Sequence, residues 1–199
     1  MNSKTASGKR RVSIGARRSP ETETAILDAA EALLREGGLA GFSIEGVARR
    51  ARAGKPTIYR WWPNKTRLLL DVYLRQKTPT ASLDTGSIQG DCLALLQGLF
   101  LAWRSGTGSV FRSVFAEAQS DEAAASALRD YAADRRAVTG RLFERAKERG
   151  ELADDADPAI AAELIAAYAW SRLLTGRIEP SHEELEAVVR QMLRGVLKR

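Results

Sequence analysis

From Pro20 onward the apolar residues of this chain recur at intervals of three and four, and strict alternation is absent. That period puts apolar side chains on one stripe of an α-helix, whereas a half-buried strand needs a period of two. Ser19-Pro20-Glu21 opens the first helix, with Ser as cap, Pro at the first position and acid in the first turn. Ile26, Ala29, Ala30 and Leu33 form its stripe, and Gly37-Gly38 stops it. Ser43 caps a short helix carrying Ile44, Val47 and Ala48, and residues 55–62 make another. Pro63-Asn64 restarts the chain into a helix with Leu68, Leu69 and Val72 inside, running to about Lys77. A turn-rich break covers residues 78–86. Beyond it lie a face of Ile88, Cys92, Leu95, Leu96, Leu99 and Trp103, and a shorter one of Val110, Phe111, Val114 and Phe115. A long helix with Leu128, Tyr131, Val138 and Leu142 ends near Gly150, and Asp157-Pro158 opens one that closes at Gly176. The last starts at Ser181 and carries Leu185, Val188, Val189, Met192 and Val196. The pattern predicts an all-α fold of about nine helices without internal repeats.

Charge divides the same chain in two. Residues 1–77 hold 16 Lys+Arg against 7 Asp+Glu, a net of +9, and residues 78–199 hold 15 against 18, a net of −3. An excess confined to the first two-fifths suggests that this part meets a polyanion. Residues 1–18 carry six cations, no acid and no apolar pattern, which reads as a disordered basic arm. The longest uncharged stretch, Cys92 to Trp103, has twelve residues, while a membrane span needs ~20. No apolar run follows the basic N-terminus, so neither a signal peptide nor a membrane partner is expected, and the cytoplasm is the default location. One cysteine and one histidine exclude an internal disulfide and a His-His metal site. No metal or cofactor is expected. Cys92 and His182 are the one Cys–His combination open to nucleophilic catalysis, and they read better as a core and a surface residue.

Two short helices joined by residues 51–54, inside the basic region, form a helix-turn-helix pattern. The first braces the second and lies across the phosphate backbone; the second lies in the major groove. Ile58 and Trp62 take the inner face of the second helix, leaving Lys55, Pro56, Thr57, Tyr59, Arg60 and Trp61 free to face DNA. Donors, a cation and aromatics on a short helix suit groove contact. Simple packing is the competing reading for Tyr59 and Trp61, and the favoured one for Trp62.

The run FSIEGVARRARAGKPTIYRWWPNKTRLLLDVYLRQ, above all residues 57–65, resembles the DNA-binding domain of TetR-type (TetR/AcrR) bacterial transcriptional regulators. The motif it matches is T-[IL]-Y-x-x-[FW]-x-[SN]-K. GELADDADP and SRLLTGR resemble a C-terminal domain of one branch of that family. After the basic arm of residues 1–18, the resemblance implies a DNA-binding domain over 19–77 and a regulatory and dimerisation domain over 78–199. It also implies a ligand-responsive repressor that binds a palindromic double-stranded DNA operator as a homodimer, and no enzyme. Ser43, Thr57, Tyr59, Trp61 and Lys65 match positions that hold phosphates, and Lys55, Pro56 and Arg60 match positions facing base edges. Two departures stand out. Arg52 occupies the turn where the family usually has Gly; either the turn has another shape using Gly54, or Arg52 accepts strain and gains a phosphate contact. Trp61 replaces a His or a small polar donor.

In such regulators the C-terminal helices hold a small-molecule effector and pair two subunits. Phe100, Trp103, Phe111, Phe115, Tyr131, Phe143, Tyr168 and Trp170 are the candidates to line a pocket, with core packing the simpler reading for any one of them. The Ala-rich helix of residues 157–176 and the final helix are the candidate dimer seam, built as a four-helix bundle across a two-fold axis. The net −3 predicts an apolar, aromatic or cationic ligand rather than a polyanion. An activator or a regulator that senses no ligand is an intermediate reading. The alternative from another class is a helical ligand carrier or small enzyme whose basic arm binds nucleic acid or membrane.

Overall fold

In a computed structural model, residues 19–75 and 83–197 are described, and the basic arm and most of the 78–86 break lie outside them. Among these residues there are nine α-helical segments and no strand, apart from one isolated antiparallel bridge between Leu152 and Leu197. The helices are α1 (Pro20–Gly37), α2 (Ile44–Ala51), α3 (Lys55–Trp61), α4 (Lys65–Arg75), α5 (Ile88–Ala102), α6 (Gly108–Glu117), α7 (Glu122–Glu148), α8 (Pro158–Leu174) and α9 (His182–Leu193). Most starts follow from side-chain caps. Ser19, Ser43, Ser87, Asp121, Asp157 and Ser181 each accept a hydrogen bond from a first-turn N–H of the helix they precede.

α1 packs on α2 and α4, and α2 on α3, around Ile26, Ala30, Val47, Ile58, Trp62 and Leu68. A Cβ on Gly46 of α2 would lie 3.1 Å from Leu33 Cδ1 of α1, a tight contact that glycine avoids. α4 then leads out of the small bundle and packs on α6 and α7, so its Tyr73 continues one core from α1–α4 into the later helices. There α7 and α8 run together, and α9 lies on α5. Sequence periodicity separates α5 from α6, yet the backbone runs between them through one π turn, Trp103–Thr107, bent at Gly106 with φ 117°. Residues 55–62 are expected as one helix; α3 ends at Trp61, and Trp62 turns to an extended conformation.

The last two helices divide their apolar residues between core and surface. Val189 belongs to the subunit's own core with Leu185 and Leu193, whereas Val188 and Met192 are only half-buried. On α8, Ile160, Leu164 and Leu174 are exposed. Arg172, itself buried, ties α8 to α9 through an ion pair with Glu184 and a 2.6 Å bond from Nε to the Arg177 carbonyl.

Candidate nucleic-acid interface

The turn between α2 and α3 resolves the ambiguity at Arg52. Arg52 has φ 52° and ψ 36°, and it is the one non-glycine residue with positive φ among the described residues. Its N–H donates to the Arg49 carbonyl, and the Ala53 N–H donates to Ala48 at 3.0 Å. That pair of bonds is the Schellman motif, which places the residue after the helix in the left-handed region, normally a glycine position. A non-glycine residue there costs about 1–2 kcal/mol. Gly54 does not supply the turn: its φ is −70°, and it serves as the N-cap of α3. An added Cβ there would touch only Pro56 Cδ at 3.6 Å and Thr57 Oγ1 at 4.0 Å, both ordinary contacts.

Ile58 and Trp62 are fully buried and fix the inner side of α3. Trp62 Nε1 also donates to Asp71 Oδ2 at 2.7 Å, joining the end of α3 to α4. Held this way, α3 leaves Lys55, Pro56, Tyr59 and Arg60 exposed and Thr57 half-exposed. Tyr59 is 47% exposed, so packing does not account for it. Trp61 divides its surface: its ring meets Trp62 edge-on at 5.9 Å, while the Arg60 guanidinium lies 5.8 Å from the centroid of the Trp61 ring. Ser43 Oγ accepts from the Gly46 N–H at 3.0 Å and keeps its own hydroxyl proton for a second partner. Lys65, the first residue of α4, places Nζ 5.7 Å from the Phe42 ring centroid. None of the ten predicted site residues is buried.

The cations around α2 and α3 fall into two groups. Arg50 makes a bidentate bridge to Glu36 at 2.6 and 2.7 Å, and Lys55 Nζ lies 2.6 Å from Glu45 Oε1. These bonds hold both carboxyls below their ordinary values. Arg49, Arg52 and Arg60 have no ion pair with any described residue. Glu45 is a partner that periodicity did not reveal, although its position in the first turn of α2 made it visible as a dipole residue. Asn64 was likewise missed as more than a restart signal. Its Oδ1 accepts from the Arg67 N–H at 2.8 Å, and its Nδ2 donates to the Ala123 carbonyl at 3.1 Å, linking the start of α4 to α7.

The pattern described as "Bacterial regulatory proteins, tetR family" matches residues 26–72, and "Tetracyclin repressor-like, C-terminal domain" matches residues 83–192. The chain belongs to the TetR family. It is a transcriptional regulator with a DNA-binding helix-turn-helix, and not an enzyme. It is 31% identical over 184 residues to the uncharacterized HTH-type transcriptional regulator YdeS of Bacillus subtilis, covering 92% of this chain and 93% of the relative. It is 28% identical over 163 residues to the DNA-binding transcriptional repressor TetR of Mycobacteroides abscessus, covering 80% of this chain and 85% of the relative. The crystal structure of the TetR-family regulator SCO0332 superposes with a TM-score of 0.77 at 31% identity, over 88% of this chain and 98% of that one.

Within this TetR-family fold, the aromatics expected to line a pocket separate into three groups. Tyr131 and Trp170 line a cavity of about 160 Å³ between α5, α7 and α8, which Tyr73 of α4 also reaches. Phe100, Trp103, Phe111 and Phe143 are instead buried core residues, and Phe115 packs edge-on against Phe111 and Trp170. Large rings fill helix crossings through such contacts and leave little open wall. Tyr168 lines a separate surface groove between α8 and α9. Cys92 is buried, which pushes its thiol up to about 12, and His182 is exposed beside Gln97. A protonated buried thiol and an exposed imidazole form no nucleophile–base pair. Among the described residues no helix is long and apolar enough to cross a membrane.

Proposed function

We propose that this TetR-family regulator is a cytoplasmic, ligand-responsive repressor that binds a palindromic operator as a homodimer. The observation that carries the DNA reading is α3 itself, anchored by Ile58 and Trp62 and bare at Lys55, Pro56, Tyr59 and Arg60. Residues 19–77 form the DNA-binding domain and residues 78–199 the regulatory one. Ser43, Arg52, Thr57, Tyr59, Trp61 and Lys65 hold phosphates and set the register, while Lys55, Pro56 and Arg60 face base edges. Glycine at position 54, which intramolecular packing does not require, leaves room for a backbone phosphate. The name of the Mycobacteroides abscessus relative supports repression as the sign of action.

The dimer seam is the outer side of α8 and α9. Exposed Ile160 and Leu164 adjoin a groove lined by Tyr168, Ala187, Val188 and Met192, and Tyr168 Oη is buried there without a hydrogen-bond partner. Ligand response follows from the cavity's place. Tyr73 lines it, stacks on Phe111 at 4.6 Å and accepts a 2.9 Å bond from Trp103 Nε1; two residues earlier on the same helix, Asp71 holds Trp62 at the end of α3. A ligand that prefers one position of α4 therefore changes DNA affinity. The test is a footprint upstream of this gene, with sedimentation of the free protein. Two protected half-sites about one DNA turn (~34 Å) apart are expected, together with a particle of about twice 21.8 kDa. An asymmetric footprint or a monomer at micromolar concentration contradicts the reading.

A further inference from the structure

The cavity between α5, α7 and α8 is mostly apolar, walled by Leu95, Leu99, Ile165, Ala169 and Trp170. Its charged lining consists of Arg135, Arg136 and Glu163, a net of one positive charge. Arg136 and Glu163 form an exposed ion pair across α7 and α8, with Nη1 3.2 Å from Oε2, so that cation is already matched. Arg135 is different. It stands one helical turn beyond Tyr131, half-buried, and its Nε is buried without a hydrogen-bond partner. It has no hydrogen bond or ion pair with any described residue. Tyr73 and Tyr131 share the lining, and burial raises both phenols, so they remain neutral beside it.

A guanidinium with unused N–H groups on one edge matches a planar acceptor with two oxygens, and a carboxylate takes it bidentately. The surrounding wall asks for an apolar body. A void of ~150 Å³ accepts a molecule the size of benzene, which bounds the body to one ring or a short acyl chain. We propose that the cavity selects a compact monocarboxylate, with Arg135 as the specificity-determining partner of its carboxylate. This rests on the reading of the cavity as the effector site. The net −3 of residues 78–199 argues against a polyanion, but it is spread over the surface and does not describe this cavity, where one cation is left over.

Three probes of nearly equal size separate charge from shape: phenylacetate, phenylacetamide and protonated phenethylamine. Each is titrated calorimetrically into the full chain, into Arg135→Gln and into Arg135→Lys. Phenylacetate is expected to bind about tenfold or more tighter than phenylacetamide, because hydrogen bonds between charged groups are the strong ones. Arg135→Gln is expected to bring phenylacetate down to the level of the amide, and Arg135→Lys to recover part of the difference. Equal or tighter binding of the amide or the amine, binding of none of the three at millimolar concentration, or an undiminished preference in Arg135→Gln overturns the proposal. If Arg135→Gln does not fold, the ranking of the probes on the native chain decides alone. DNA release, followed by fluorescence anisotropy, is scored separately. Phenylacetate that binds through Arg135 without changing DNA affinity leaves the anion site standing and defeats the effector reading. Release by the neutral amide in preference to phenylacetate keeps the effector reading and defeats the anion site.

Discussion

In α1–α4 a small core of Ile26, Val47, Ile58, Trp62 and Leu68 is covered, and Arg52, Tyr59 and Arg60 stand outside it. In α5–α9 the arrangement is reversed: Arg135, with Tyr73 reaching in from α4 and Tyr131 beside it, turns toward an internal cavity, and the exposed side is apolar along α8. The difference fits the proposed partners. A polyanion is met from outside by cations on a rigid frame, since phosphate contacts work at the surface and depend on salt. A small ligand must be surrounded, and its orientation needs a few polar groups placed among apolar walls. One subunit therefore carries outward and inward chemistry, joined by α4 and by the Asn64–Ala123 hydrogen bond.

The comparison breaks first at the apolar outer side of α8 and α9. Val188→Asp or Met192→Asp puts an uncompensated charge into the proposed seam, about 3–5 kcal/mol at each site, and two-fold symmetry presents it twice. Sedimentation velocity is expected to show a folded monomer. A dimer that survives both changes places the seam elsewhere and removes the contrast between the two surfaces.

Next comes the inner side of α3. Trp62→Ala is expected to lower unfolding free energy by about 3–5 kcal/mol, while Tyr59→Ala changes it by no more than about 0.5 kcal/mol. Denaturant titration measures both. Comparable losses for the two would mean that Tyr59 is packed, and that the outward face of α3 is smaller than its exposure indicates.

The outward face itself divides into reading and positioning. Arg60→Ala is expected to cost about 1–3 kcal/mol on the operator and less on scrambled DNA. Lys65→Ala weakens both DNAs alike and lowers the salt slope by about 0.9 per protomer. Binding isotherms at several salt concentrations distinguish the two. An Arg60→Ala protein weakened equally on both DNAs would move base reading to Lys55 and Pro56, and Glu45, which now holds Lys55, would then control its release.

The smallest effect belongs to the turn. Arg52→Gly relieves a left-handed strain of about 1–2 kcal/mol but adds freedom to the unfolded chain worth about 0.4–1 kcal/mol. A net gain of about 0–1.6 kcal/mol is expected in thermal unfolding, together with weaker binding to every DNA sequence. A destabilised variant would mean that the Arg52 side chain holds more than the backbone angles reveal.

Much of the DNA-binding half was legible because its signals are local. Caps at Ser19 and Ser43, the stop at Gly38, and the pairing of Ile58 with Trp62 each depend on residues within one or two turns. The half formed by α5–α9 hid its chemistry. Arg135 sits on the same side of α7 as Tyr131, four residues on, and seven before Leu142, but a single cation in an apolar stripe looks like an interruption when its surroundings are unknown. Tyr73 lay in the same stripe of α4 as Leu69 and could not be assigned to a cavity formed by three later helices. The eight aromatics carried no sign of which would fill crossings and which would face open space, because that depends on how closely neighbouring helices approach.

By itself, the sequence determined the helical class, the order of the helices, the caps at Ser19, Ser43, Asp157 and Ser181, the charge division and the buried side of α3. Each of these is set by periodicity or by hydrogen bonds within a few residues. Tertiary structure alone decided that Arg52 closes a Schellman turn, that α5 and α6 are joined by a π turn, that Val189 is internal while Ile160 and Leu164 are exposed, and that Arg135 is left unpaired beside a cavity. Those outcomes depend on which helices meet and at what separation, and contacts between segments far apart in the chain are not written in the spacing of either one.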